Sequence, residues 1–126
     1  MSEIKVYRLN ASGSNPTIEV LFGQANWGNY QTFIYDSNGK NPILVSEGVN
    51  TDEIPDKAEI GNVAELNNRI LYWRLRTARF DSSPGGRFYM KVIVSQTGNE
   101  PHVTEYQGEF SGLVQDAIGI LRFDVL

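Results

Sequence analysis

The sequence predicts an all-β fold, an antiparallel β-sandwich of jelly-roll or Greek-key type with about eight strands. Three observations predict it. Apolar and polar residues alternate with period two in run after run. Clusters of Gly, Pro, Asn, Asp and Ser separate these runs roughly every 8–12 residues. No segment sustains a helical period, so at most one short helical turn is expected and βαβ architecture is excluded. A chain of 126 residues fits one domain, here 1–126.

The elements follow in order. Ile4-Lys-Val-Tyr-Arg-Leu9 alternates as a first strand, and Ala11-Ser-Gly-Ser-Asn-Pro16 breaks it. Residues 17–22 and 31–36 form the second and third strands. Asp36-Ser-Asn-Gly-Lys-Asn-Pro42 is a turn, because Asn-Gly accepts the positive φ of a tight hairpin. Residues 43–46 form a short fourth strand. Residues 48–66 read as an irregular acidic connection broken by Pro55 and Gly61. A long hairpin follows: strand 69–80, turn 81–86, strand 87–95. Residues 96–101 turn into strand 103–110. Residues 113–118 read as a helical turn ended by Gly119, and 120–126 as the last strand.

The alternation also assigns faces. Leu71, Trp73, Leu75 and Thr77 share one face of the long hairpin with Phe88, Met90, Val92 and Val94. Tyr106, Phe110, Leu121, Phe123 and Val125 continue that apolar layer. The opposite face carries Tyr72, Arg74, Arg76, Tyr89, Lys91, Glu105, Gln107 and Glu109, with Lys91 set near Glu105 or Gln107. It reads as a solvent face whose charges balance locally.

Composition narrows the function. The formal net charge is −4 and the sequence pI about 4.9, which argues against nucleic-acid binding and against an anionic membrane surface. Mean hydropathy is −0.32, and no apolar run approaches the ~20 residues of a membrane span. The absence of cysteine removes disulfides, thiolate metal sites and cysteine nucleophiles. The N-terminus has no basic and apolar leader, so a cytoplasmic location is expected. The size, acidity and lack of cysteine are similar to those of small cysteine-free lectins, a likeness of composition that identifies no residue.

Catalytic vocabulary is absent. His102 is the only histidine and sits beside Pro101 in a turn. No nucleophile elbow and no phosphate loop occur. Glu105 and Glu109 stand about 13 Å apart along one strand, beyond the ~5–9.5 Å of a glycosidase pair. The chain therefore reads as a non-enzyme without a cofactor. Only an all-oxygen cation site, for calcium or magnesium, stays open. The weak candidates for it are Asp52, Glu53 and Asp56, with Glu59, in the acidic connection. Asp36-Ser-Asn-Gly fails calcium-loop spacing.

What remains is Gln24-Ala-Asn-Trp-Gly-Asn-Tyr-Gln31, read as a loop or strand edge. It joins two large aromatics to four side-chain amides. Asn26, Trp27, Asn29, Tyr30 and Gln31 are the predicted ligand-binding residues. An indole or phenol face with amides beside it matches a sugar's apolar ring face and hydroxyl rim. The expected function is thus a lectin-like, carbohydrate-binding module acting through the Trp27/Tyr30 loop. The alternative is a structural or protein–protein interaction module, forming a homo-oligomer or docking to a larger assembly, with Trp27 and Tyr30 as contact anchors. The decisive unknown is whether the Trp27 indole faces solvent or core.

Overall fold

The computed structural model describes residues 4–24, 26–50, 52–79 and 86–126. Nine strands occur among them. They are β1 (Lys5–Leu9), β2 (Thr17–Gly23), β3 (Trp27–Tyr35), β4 (Ile43–Asn50), β5 (Asp56–Glu59), β6 (Ile70–Ala78), β7 (Arg87–Ser95), β8 (His102–Glu109) and β9 (Val114–Val125), with one 3₁₀ turn at Val63–Glu65. They form two packed sheets, so the chain is an all-β sandwich. One sheet has the order β1-β9-β6-β3-β4, the other β5-β2-β7-β8. All neighbours are antiparallel except β1 and β9, which run parallel and depart from the expected wholly antiparallel pattern.

Two elements differ from expectation at their own level. Residues 113–118 are not a helical turn, because Val114–Val125 is one long strand pairing with β6 along nine positions. Its alternation was present in the sequence: Ala117 is buried between exposed Asp116 and Ile118. The acidic connection 48–66 is partly ordered too. β4 runs on to Asn50, β5 adds an edge to β2, and the Asn62 side chain caps the 3₁₀ turn by accepting from Ala64 N.

The larger correction is topological. β6 and β7 are not a hairpin; they belong to different sheets and oppose one another across the core. The face assignments survive, because Leu71, Trp73, Leu75, Thr77, Phe88, Met90, Val92 and Val94 are all buried. Period two reveals which side chains point inward. It does not say whether two inward faces lie side by side at about 5 Å or face each other across about 10 Å. The expected turn at 81–86 lies outside the described residues apart from Gly86. Only β3–β4 and β7–β8 join sequence neighbours within a sheet among the described strands.

The sheets interlock through specific contacts. Trp73 on β6 is 1 % exposed, and its indole N–H donates to the Tyr106 hydroxyl on β8 at 3.1 Å. Gly119 lies opposite Trp73 on β9; a Cβ there would come within 2.3 Å of the indole ring. Phe22, Met90, Val92, Leu121 and Phe123 complete the centre of the core. At one end, buried Gln96 donates to the carbonyls of Asn10 and Ser14 and accepts from Asn10 N, tying the β7–β8 turn to the β1–β2 connection. Tyr106 and Val125 are only partly buried against this core.

Candidate functional site

The segment expected to be a loop is the first half of β3. The strand's pleat divides its candidates. Trp27, Asn29 and Gln31 project outward, while Gly28, Tyr30 and Thr32 project into the sandwich. The Trp27 indole faces solvent, at 53 % exposure. Two inward contacts hold the strand end beneath it. The carbonyl of Trp27 accepts from the buried Thr77 hydroxyl at 2.7 Å. Gly28 lies against the Phe22 ring so closely that a Cβ would sit 2.2 Å from a ring carbon. Only glycine permits that approach, which explains a residue of low strand preference in this position.

Two predicted ligand residues are corrected by burial. Asn26 is 8 % exposed, and its amide donates to the Arg87 carbonyl at 2.8 Å, linking the start of β3 to β7 in the other sheet. Tyr30 is also 8 % exposed and points away from Trp27. Burial pushes its phenol up to about 12, with the hydrogen bond and negative charge of Asp56 adding to the rise. Tyr30 therefore packs inside the sandwich, its hydroxyl beside Gly48 on β4 and Asp56 on β5. A two-aromatic Trp27/Tyr30 platform does not exist. Ala25, part of the same segment, lies outside the described residues.

The outward half of the segment meets residues from three other strands. Strand register sets them in rows across the five-stranded sheet. Val49, Asn29, Arg76 and Asp116 form one row, and Glu47, Gln31, Arg74 and Ile118 the next. Three depressions of about 480, 380 and 350 Å³ lie on this face, and Asn29 lines all of them. The first includes Gln31, Glu47 and Arg74, the second Arg74, Arg76 and Asp116, the third Trp27, Val49 and Arg76. Together they make a shallow trough with Trp27 at one end.

Its polar groups orient one another. Arg76 and Asp116 form a two-pronged ion pair, at 2.7 and 3.0 Å. The Arg76 guanidinium holds the Asp116 carboxyl below the usual carboxylate range. Arg74 donates to Gln31 Oε1 at 2.5 Å, and Gln31 in turn donates to Glu47 at 3.5 Å. These exposed pairs stabilise the fold little. Their consequence is to fix where donors and acceptors stand. Glu47 and Asp116 are separated by three strand steps, β4 to β9, and two residues along the strands, about 16 Å, so they fall outside carboxylate-pair catalysis. His102 lies far from this trough. It packs edge-on to Tyr7 beside Glu100 at the sandwich end, and burial, with Lys5 nearby, pushes its imidazole down.

Arg74, Arg76, Asp116, Glu47 and Val49 were not expected at the Trp27 site. The sequence pattern grouped Arg74, Arg76 and Tyr72 with Tyr89, Lys91, Glu105, Gln107 and Glu109 on one face. The sandwich puts the first three on one outer surface and the other five on the opposite one. Lys91 does pair across from Glu105, as expected, and the Tyr89 hydroxyl donates to that carboxylate. The charge partner of Arg76 is Asp116 instead, a residue hidden in the stretch read as helical.

The calcium candidates are not gathered. Asp52 accepts from Ile54 N in its own turn, and Asp56 interacts with Tyr30. Among the described residues no three His, Asp or Glu side chains are grouped so as to hold a metal. The Asp36 carboxylate accepts from Lys40 N and the Asn41 amide, as the capping group of a hairpin turn. No helix among the described residues is long and apolar enough to cross a membrane.

Comparison with protein-family models, with curated proteins and with solved structures gave no match.

Proposed function

We propose that this chain is a non-catalytic binding module that takes carbohydrate on the outer face of its five-stranded sheet, beside Trp27. One observation carries the reading. A half-exposed indole stands on a strand end fixed from below by Thr77 and Phe22, next to a trough of amide, guanidinium and carboxylate groups. A rigid apolar platform with preset hydrogen-bonding groups favours a ligand that is apolar on one face and hydroxylated at its edge. Asn29 and Gln31 stay in the predicted site; Arg74, Arg76, Asp116 and Glu47 join it; Asn26 and Tyr30 leave it for the interior. Glycan-array binding followed by isothermal titration tests the proposal. Binding should be present and should be lost in Trp27→Ala while the protein stays folded. No binding across a broad neutral and charged glycan set refutes it.

A second reading is supported by a different feature of the same face. Val49 is 72 % exposed, Ile118 57 %, and Ile120 and Val114 also stand in solvent. Clustered exposed aliphatics mark protein contacts. A homo-oligomer or a docked partner would cover them. Light scattering that gives a dimer mass, reduced to monomer by Ile118→Arg, favours this reading over the first.

A further inference from the structure

Beyond Trp27 and its polar trough, the same face continues into a second aromatic group. Phe33, Tyr35 and Tyr72 contact one another with ring centroids 6.0–6.5 Å apart. Phe33 and Tyr72 are register partners, and Ile120 lies opposite Tyr72 on β9. All project outward and all stay partly or well exposed. The face thus has an apolar row on either side of its polar middle, Trp27 with Ala78 and Val114 on one side and Phe33 with Tyr72 and Ile120 on the other. Between them lie the two rows that carry the polar groups. From Trp27 to Phe33 the strand advances six residues, about 20 Å. That length exceeds a single sugar ring and suits several in line.

The charges of the middle rows select further. Arg74 and Arg76 face Glu47 and Asp116, so the trough is neutral as a whole. Each guanidinium already has an acceptor. An anionic ligand on Arg76 would have to displace Asp116, and on Arg74, whose acceptor is the neutral Gln31 amide, it would share the trough with the Glu47 and Asp116 carboxylates. An uncharged polyol meets neither obstacle: its hydroxyls accept from the remaining guanidinium and amide donors and donate to the carboxylate oxygens. The surface is open, which suits an extended chain lying along the strand.

Resting on the carbohydrate reading above, we infer that the ligand is an uncharged, extended oligosaccharide lying along β3 and β6. Its ends stack on Trp27 and on the Phe33–Tyr72 row. The test is isothermal titration with cello-, xylo- and manno-oligosaccharides from disaccharide to hexasaccharide, with oligogalacturonates as the charged control. In at least one neutral series, affinity should rise about tenfold or more with length, as a second ring face becomes covered. Tyr72→Ala should lose that gain, leaving affinity flat with length. Trp27→Ala should weaken every length. Should Tyr72→Ala fail to fold, the length series on the unmodified chain still decides. Trp27-dependent affinity that is flat with length overturns the extended site and leaves a short-sugar module standing. Tighter binding of oligogalacturonate overturns the uncharged class. Silence toward every probe removes the underlying carbohydrate reading as well.

Discussion

Replacing Gly28 with alanine should destabilise the sandwich by about 2 kcal/mol. The added Cβ would stand 2.2, 2.3 and 2.4 Å from three Phe22 ring carbons. Carbon atoms prefer about 3.5–4.0 Å, so ring and strand must separate by more than an ångström. Phe22 is fully buried, and interiors at crystal-like density leave it no space to retreat into. Overpacking costs about 1–3 kcal/mol, and an overlap this deep against a fully buried ring falls at the upper end. Stiffening the unfolded chain returns about 0.4–1 kcal/mol. Urea denaturation is the assay. With a slope of about 1–3 kcal/mol per molar, the midpoint should fall by about 1 M at unchanged slope. An unchanged or raised midpoint would refute the claim that a glycine is required at this contact. Because Gly28 sits directly after Trp27, the variant should also weaken ligand binding, coupling the two readouts.

Other substitutions separate platform from scaffold. Trp27→Ala removes a half-covered indole and should cost at most about 2 kcal/mol, short of the ~3–5 kcal/mol of a buried aromatic, while ligand affinity collapses; a fall in the urea midpoint in that larger range would make Trp27 a scaffold residue. Tyr106→Phe leaves the buried Trp73 indole N–H without its acceptor and should cost about 1–3 kcal/mol, read from thermal and urea unfolding. Tyr30 provides a pH test. Its phenol titrates near 12 when folded and near 10.0 when unperturbed, so its contribution to stability is complete below pH 10 and lost as pH rises through 12. The difference in phenolate absorbance between the unmodified chain and Tyr30→Phe should titrate near 12; a midpoint near 10 would show that Tyr30 is not closed off with Asp56.

How far this fold and site are legible in the sequence depends on the residue. Alternation placed Leu71, Trp73, Leu75, Phe88, Met90 and Val92 in the core, and each is there. The same alternation, extended from Tyr35 back to Trp27, separates Trp27, Asn29 and Gln31 from Gly28 and Tyr30. It was obscured because Asn and Gly ordinarily signal turns. Here Gly28 is required by the Phe22 ring, and the Asn26 amide bridges two sheets. Both reasons are tertiary. Asp116 was obscured differently, since Val114-Gln-Asp-Ala-Ile118 carries apolar residues at positions compatible with either period.

The class of fold, the inward faces, and the absence of cysteine chemistry and of a histidine beyond His102 are legible in the residue pattern alone. Period-two patterning encodes burial, and residue type limits reactivity, so these need no coordinates. Strand pairing across the fold sets β6 and β7 opposite one another and puts Arg74 and Arg76 on one surface with Trp27 and Asp116. It also leaves Trp27 exposed and Tyr30 buried. Those facts depend on which strands become neighbours. Neighbour choice is made by long-range packing, Phe22 on Gly28 and Trp73 on Gly119, between residues that no local pattern connects.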